Sequence, residues 1–180
     1  MGEILAHEFM TLDGVYENPA WTREFPFDPK MGEAIGEVMG SCGGLLLGRR
    51  TYEMFAPAWS GRTAEQDPGA PFMNDSPKYV VSSTLSEASW SNSTVIGPYD
   101  PAAIAELKQS LADDLYLSGS GTLVRALLAD GLLDALHLFV FPVVLGAGER
   151  LFGDGDGARF ELAAQESFDG GVVHLAYRPA

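Results

Sequence analysis

The residues best suited to chemistry lie where apolar runs break into glycine. The first such place is Leu45-Leu46-Leu47-Gly48-Arg49-Arg50-Thr51-Tyr52. A strand running into a helix start leaves backbone N–H groups unpaired at the positive end of the helix dipole. Gly48 lets a ligand come close to the backbone, Thr51 adds a hydroxyl, and two arginines add charge. Together they suit an anion, most simply a phosphate. Taken alone, the turn fits a helix start with surface arginines equally well. A second turn, Tyr116-Leu117-Ser118-Gly119-Ser120-Gly121-Thr122-Leu123, has the same strand-to-helix form. It is not the Rossmann fingerprint, because Val124 stands where the third small residue belongs. A third strand end, Val80-Val81-Ser82-Ser83-Thr84, carries hydroxyls. Ligands of open α/β sheets bind beyond the carboxyl ends of strands, and a dinucleotide would use all three ends.

Other chemistries are disfavoured. His7, His137 and His174 fall in separate strands without ligand spacing, so no metal site is expected. Asp154-x-Asp156 reads as an acidic turn rather than a calcium loop. Ser118-Gly119-Ser120-Gly121 is not a nucleophile elbow. Cys42 is the only cysteine, which rules out an intrachain disulfide and reads as a buried structural thiol. The aromatic stretch holding Tyr16, Trp21, Phe25 and Phe27 suits either a wall for a planar heterocycle or a lid packed on the core. Asp28 reads as a helix cap or a substrate carboxylate, and Glu33 as a solvated helix residue or a substrate carboxylate.

The elements that must hold these turns alternate strand and helix. Strands are expected at Ile4–Met10, Gly44–Leu47, Lys78–Ser82, Ser93–Ile96 and Asp114–Leu117. Another is expected over Ala135–Val144, with Pro142 marking a bulge or an edge. Phe160–Phe168 and Val172–Tyr177 close the chain as an antiparallel hairpin through Asp169-Gly170-Gly171. Helices are expected after Asp28-Pro29, at Arg49–Phe55, after Asp100-Pro101, and at Thr122–Asp130 before Gly131. Pro57–Pro77 reads as a long functional loop. The expectation is one α/β domain over residues 1–180, a three-layer sandwich with about eight strands and about four helices.

The chain has 180 residues, 46% of them hydrophobic, and a net charge of −14. That charge opposes binding to nucleic acid and to anionic membranes. The apolar runs Gly44–Leu47 and Leu138–Leu145 are far short of the roughly 20 residues that span a bilayer. No signal-peptide pattern opens the chain, and Ala6 stands where a myristoylation motif wants Ser or Thr. A reducing cytoplasm fits the lone cysteine. Arg49 and Arg50 are the only adjacent basic pair in this acidic chain.

The ordered set Thr11-Leu12-Asp13-Gly14, Leu47-Gly48-Arg49-Arg50-Thr51-Tyr52, Val81-Ser82-Ser83 and Ser118–Leu123 resembles the dihydrofolate reductase superfamily. The tail Leu127-Leu128-x-x-Gly131-Leu132-Leu133-Asp134 with Pro142-Val143-Val144-Leu145-Gly146-x-Gly148 is similar to the reductase domain of riboflavin-biosynthesis deaminase–reductases and its stand-alone relatives. The resemblance implies a dihydrofolate-reductase-like fold and an NADPH-dependent reductase of a small planar heterocycle, pterin-like or ribosylaminopyrimidine-like. Alternatives are a nucleotide-binding module without efficient turnover and a stand-alone riboflavin-pathway pyrimidine reductase. The motifs of a fused zinc deaminase, His-x-Glu and Cys-x-x-Cys, are absent.

The resemblance places NADPH phosphates on Gly48, Arg49, Arg50 and Thr51, and the 2′-phosphate on Ser82 and Ser83 with Arg49 or Arg50. It places the pyrophosphate and nicotinamide on Gly119, Ser120, Gly121 and Thr122. Candidate catalytic residues are Asp13, beside the nicotinamide, and Glu33. Candidate substrate contacts are Trp21 and Phe27. A homodimer is implied, with Leu138–Val144 as the candidate interface.

Overall fold

A computed structural model describes all 180 residues. Eight strands form one sheet: β1 (Ile4–Thr11), β2 (Cys42–Gly48), β3 (Lys78–Val81), β4 (Ser93–Val95), β5 (Asp114–Ser118), β6 (Ala135–Phe141), β7 (Phe160–Ser167) and β8 (Val173–Pro179). Their order across the sheet is β4-β3-β2-β5-β1-β6-β8-β7. β1 through β6 pair in parallel, and β8 runs antiparallel to both β6 and β7.

The helices are α1 (Pro29–Gly40), α2 (Arg49–Trp59), α3 (Ala70–Asp75), α4 (Pro101–Ser110) and α5 (Gly121–Ala129). Val38 of α1, Tyr52 of α2 and Met73 of α3 pack with Leu45, Leu47 and Val80 on one face of the sheet. Ile104 of α4 and Leu123, Val124 and Leu127 of α5 pack with Ile4, Leu46 and Leu136 on the other. This is the three-layer arrangement in which a mostly parallel sheet buries both faces. No helix is long and apolar enough to cross a membrane.

Local chemistry sets the helix starts. Asp28 accepts a hydrogen bond from the Lys30 amide at 2.9 Å, and Asp100 accepts one from Ala102 at 2.9 Å. Each is followed by proline in the first turn, where no amide partner is missed. Gly131, at φ +66°, turns the chain after α5.

Three expectations need correction. There are five α-helices, not about four. α2 continues through Pro57 to Trp59, and α3 lies within the segment read as loop. α3 is only six residues long and buries just Ala70 and Met73, too few positions to show a helical period. β6 ends at Phe141, before Pro142, and runs between β1 and β8 inside the sheet. Leu138 and Phe139 are therefore core residues rather than an interface, and within Leu138–Leu145 the exposed residues, Pro142, Val144 and Leu145, lie beyond the strand.

Candidate functional site

The parallel strands point their carboxyl ends at one cavity of about 1830 Å³. It is bounded by α1, the starts of α2 and α5, and the Gln66–Met73 segment. Every residue of the Gly48–Thr51 and Gly119–Thr122 turns lines it, as do Glu33 and Phe27.

Ser120 couples the two turns. Its hydroxyl accepts from the Gly48 amide at 2.9 Å and donates to Thr51 Oγ1 at 2.8 Å. The approach is tight enough that a side chain on either glycine would press on its neighbour. A Cβ on Gly48 would stand 3.2 Å from Ser120 Oγ, and one on Gly119 would stand 3.3 Å from Thr51 Oγ1. Gly119 (φ +65°) and Ser120 (φ 61°) are consecutive left-handed residues that turn the chain into α5. Two helix N-termini thus open side by side into one cavity. Their summed partial charges favour an anion with more than one phosphate.

The arginines diverge. Arg49 Nε donates to Glu53 at 2.8 Å, and its Nη1 reaches Thr84 just past β3. Arg50 points the other way, nine-tenths exposed, 3.7 Å from Glu149. Glu149 also accepts from Tyr16 at 2.9 Å and from Arg125 at 3.2 Å. Its carboxyl is held below the usual range, first by the Tyr16 hydroxyl and then, against partial burial, by Arg125. The Tyr16 ring lies on Gly121, where a Cβ would come within 2.4 Å of it. A Glu149→Gln exchange keeps the neutral contacts and frees Arg50 from a competing carboxylate. Exposed pairs of this kind are worth about 0.2–1 kcal/mol. An anionic ligand held at Arg50 should therefore bind up to about fivefold more tightly, as measured by equilibrium titration.

Ser82 and Ser83 do not line the cavity; Val81 and Tyr99 do. The Ser82 hydroxyl accepts from the amides of Thr84 (3.2 Å) and Leu85 (2.9 Å), so it caps the turn after β3. Thr84, which sequence reasoning passed over as a site residue, is the hydroxyl that meets Arg49.

Two candidates sit elsewhere. Trp21 is buried in the core, its ring centroid 5.3 Å from that of Phe141, and is not on the cavity wall. Asp13 is also off the wall. Its carboxylate accepts from Thr11 Oγ1 at 2.6 Å and from the amides of Leu145 (3.3 Å) and Gly146 (2.9 Å), with Arg150 3.8 Å away. The Thr11 hydroxyl, followed by the Gly146 amide, holds its pKa down to about 2. Asp13 therefore clamps the loop after β1 to the segment after β6 and does not face the cavity. By contrast, Phe27 lies across Gly32 of α1, exposed at the cavity mouth. Glu33 faces the cavity from the same helix with no ion-pair partner within 4.0 Å.

The structure adds two residues from the interior of β1 that the sequence reading had not singled out as site residues. His7 and Glu8 both line the cavity and are both buried. His7 Nδ1 lies 2.6 Å from the Tyr116 hydroxyl, and its Nε2 has no partner. Burial, then the charges of His137 and His174, push the His7 pKa down to about 3. Glu8 is the only buried carboxyl group, and its Oε1 has no partner.

This sheet order, with the cavity at its carboxyl edge, defines a dihydrofolate-reductase-like α/β protein. The Enterococcus faecalis dihydrofolate reductase complexed with NADP(H) superposes with a TM-score of 0.64 at 14% identity, over 99% of this chain and 96% of that one. A Shewanella sp. PV-4 protein named for riboflavin biosynthesis superposes with a TM-score of 0.81 at 21% identity, over 100% of this chain and 99% of that one. In sequence, the uncharacterized protein YyaP of Bacillus subtilis (strain 168) is 26% identical over 173 residues, which is 93% of this chain and 90% of the relative. The chain belongs to the RibD C-terminal domain family, whose model matches residues 3–174.

Proposed function

We propose that the chain, acting as a single domain over residues 1–180, is an NADPH-dependent reductase of a small planar heterocycle. The observation that carries this reading is the single cavity into which two glycine-containing helix starts and an apolar wall both open. Gly48–Thr51 and Gly119–Thr122 would hold the pyrophosphate. Arg49 with Thr84 would hold the 2′-phosphate, and Ser82 and Ser83 would shape that strand end. When bound, NADPH supplies the hydride, and the protein supplies position and exclusion of water. The complex of the Enterococcus reductase with NADP(H) supports the choice of cofactor on the same fold.

The other half of the cavity has apolar walls, including Ile35, Met39, Phe55 and Phe72, with Trp59 beside them. Its charged groups are the carboxylates Glu33 and Asp67, and Asp67 is paired with Arg62 at 3.3 Å. A phosphate on the substrate would face Glu33 there, so the reading favours a substrate without one. Family membership favours a second reading, the riboflavin-pathway pyrimidine reductase.

The first test is titration with NADPH, read by quenching of tryptophan emission, because Trp59 lines the cavity. Saturable binding is expected, and no binding at millimolar NADPH would remove the proposal. NADPH oxidation is then compared with dihydrofolate and with the ribosylaminopyrimidine in free and 5′-phosphorylated forms. Preference for the phosphorylated form would establish the second reading instead.

A further inference from the structure

Glu8 has no structural task that the fold explains. It is 2% exposed, its Oε1 is sealed from solvent with no hydrogen-bond partner, and it stands on the cavity wall. Burying a polar group in that state is costly, and sites that retain one usually have a use for it. Its place in the sheet suggests the use. β5 ends at Ser118, which is paired with His7, so Glu8 is the first residue of β1 beyond the end of its neighbour. The sheet opens there, directly beside the Ser118–Thr122 turn.

The order of a bound dinucleotide follows from the anion sites. Arg49 and Thr84 mark the adenosine end beside β3. The two helix starts take the pyrophosphate. The remaining ring must then reach the opening beside β1. A nicotinamide ring carries a primary carboxamide, and a protonated carboxyl offers it one donor and one acceptor in matching array. Resting on the proposed cofactor, we infer that Glu8 is the side-chain partner of the nicotinamide ring. As a neutral acid it pairs with the carboxamide of NADPH, and it releases its proton to solvent when the bound ring is the positively charged NADP⁺.

The surroundings fit. Burial raises the Glu8 pKa well above the usual carboxyl range, and Arg125 of α5 opposes that only in part. The other titratable group facing it is Tyr16 from the loop after β1, with Glu149 behind Tyr16 and Arg125, while Tyr116 of β5 is bonded to His7 on the opposite face of the sheet. None of these titrates near neutrality. Tyr16 is pushed up to about 12 by burial and Glu149, and Tyr116 is raised further by burial. Glu149 is held low. On the opposite face of β1, His7 is pushed down to about 3 and His137 to about 4, chiefly by burial, and His174 is lowered as well. A proton lost near neutral pH on NADP⁺ binding therefore points to Glu8.

The sign is fixed by linkage. A cationic ring lowers the carboxyl pKa in the complex, so between the bound and free values NADP⁺ binds more tightly as pH rises, by up to about tenfold per pH unit. NADPH lacks that charge. The 2′-phosphate titrates in both nucleotides and cancels in their ratio. The experiment is the ratio Kd(NADP⁺)/Kd(NADPH) across the neutral range, for the wild type and Glu8→Gln. A ratio that falls with pH in the wild type and is flat in the variant supports the assignment. A flat wild-type ratio, or a slope that survives in the variant, overturns it. Should Glu8→Gln fail to fold, calorimetry of the wild type in two buffers of different ionisation enthalpy decides. Proton release with NADP⁺ alone supports the assignment, and equal release with both nucleotides overturns it. Failure to bind either nucleotide overturns the cofactor reading itself, an outcome distinct from a flat ratio with intact binding.

Discussion

Arg49→Ala is expected to raise the Kd for NADPH by about 10- to 100-fold while changing that for NADH severalfold at most. The reason is the direction of the side chain. Arg49 is the first residue of α2, but its guanidinium turns toward Thr84, just past β3, rather than across the Gly48–Thr51 and Gly119–Thr122 turns. It is held in that direction by Glu53 one helical turn later, at 2.8 Å. A charge-assisted hydrogen bond to phosphate is worth about 1.5–3 kcal/mol, which sets the expected range. NADH has no 2′-phosphate and loses little. Arg50, exposed and drawn toward Glu149, should show the opposite profile on substitution by alanine, weakening both nucleotides modestly and about equally. Parallel titrations of the two variants with both nucleotides make the check. Equal losses for NADPH and NADH in Arg49→Ala would move the 2′-phosphate elsewhere.

Lys78→Met is expected to cost about 1.5–3 kcal/mol of stability, the range for losing hydrogen bonds to a charged group. At about 2–4 °C per kcal/mol for a chain of this size, Tm should fall by roughly 3–12 °C. Lys78 opens β3 and is fully buried, a rare state for lysine. Its ammonium donates to the carbonyls of Asn74 (2.9 Å), Ser76 (2.9 Å) and Ser91 (3.0 Å) and lies 4.5 Å over the Trp90 ring. Methionine fills the volume but leaves three carbonyls without this donor. Two of them, Asn74 and Ser76, lie at the end of α3, and α3 presents Phe72 and Met73 to the apolar half of the cavity. The loss should therefore also raise the KM for the heterocycle more than the Kd for NADPH. Calorimetry reports the stability, and steady-state kinetics report the split. A Tm change under about 2 °C would show that the carbonyls find other donors.

Much of the frame can be read from local chemistry. Asp-Pro pairs mark two helix starts, the alternation of apolar runs with helical periods marks a parallel sheet, and the two glycine turns stand out because each follows a buried strand. Those signals are local, so they survive without knowledge of the fold. Residues whose part depends on distant partners are another matter. Asp13 carries the look of a loop residue near a ligand, yet its partners Leu145 and Gly146 lie more than 130 residues away and turn it into a clamp. Trp21 and Phe27 belong to one aromatic stretch. One is driven into the core against Phe141, while the other is left at the cavity mouth over Gly32. Spacing does not distinguish them, because the 3-10 helix that carries Trp21, Pro19–Glu24, has too few residues to reveal a buried face.

Glu8 shows the division most sharply. Within Ile4–Thr11 nearly every residue is buried, because β1 lies in the middle of the sheet with helices on both faces. The usual alternation of apolar and polar positions is therefore missing, and nothing in the strand marks which residue meets open space. That depends on where β5 stops relative to β1, a register between segments more than 100 residues apart in the chain. The sequence by itself determined the strand, the two strand-to-helix turns and the glycines that let them approach. Only the tertiary structure decided that the turns share one cavity, that Arg49 and Arg50 part company, and that a buried carboxyl stands at its inner end. Turn and helix signals act over a few residues, whereas burial and strand register are properties of the assembled sheet.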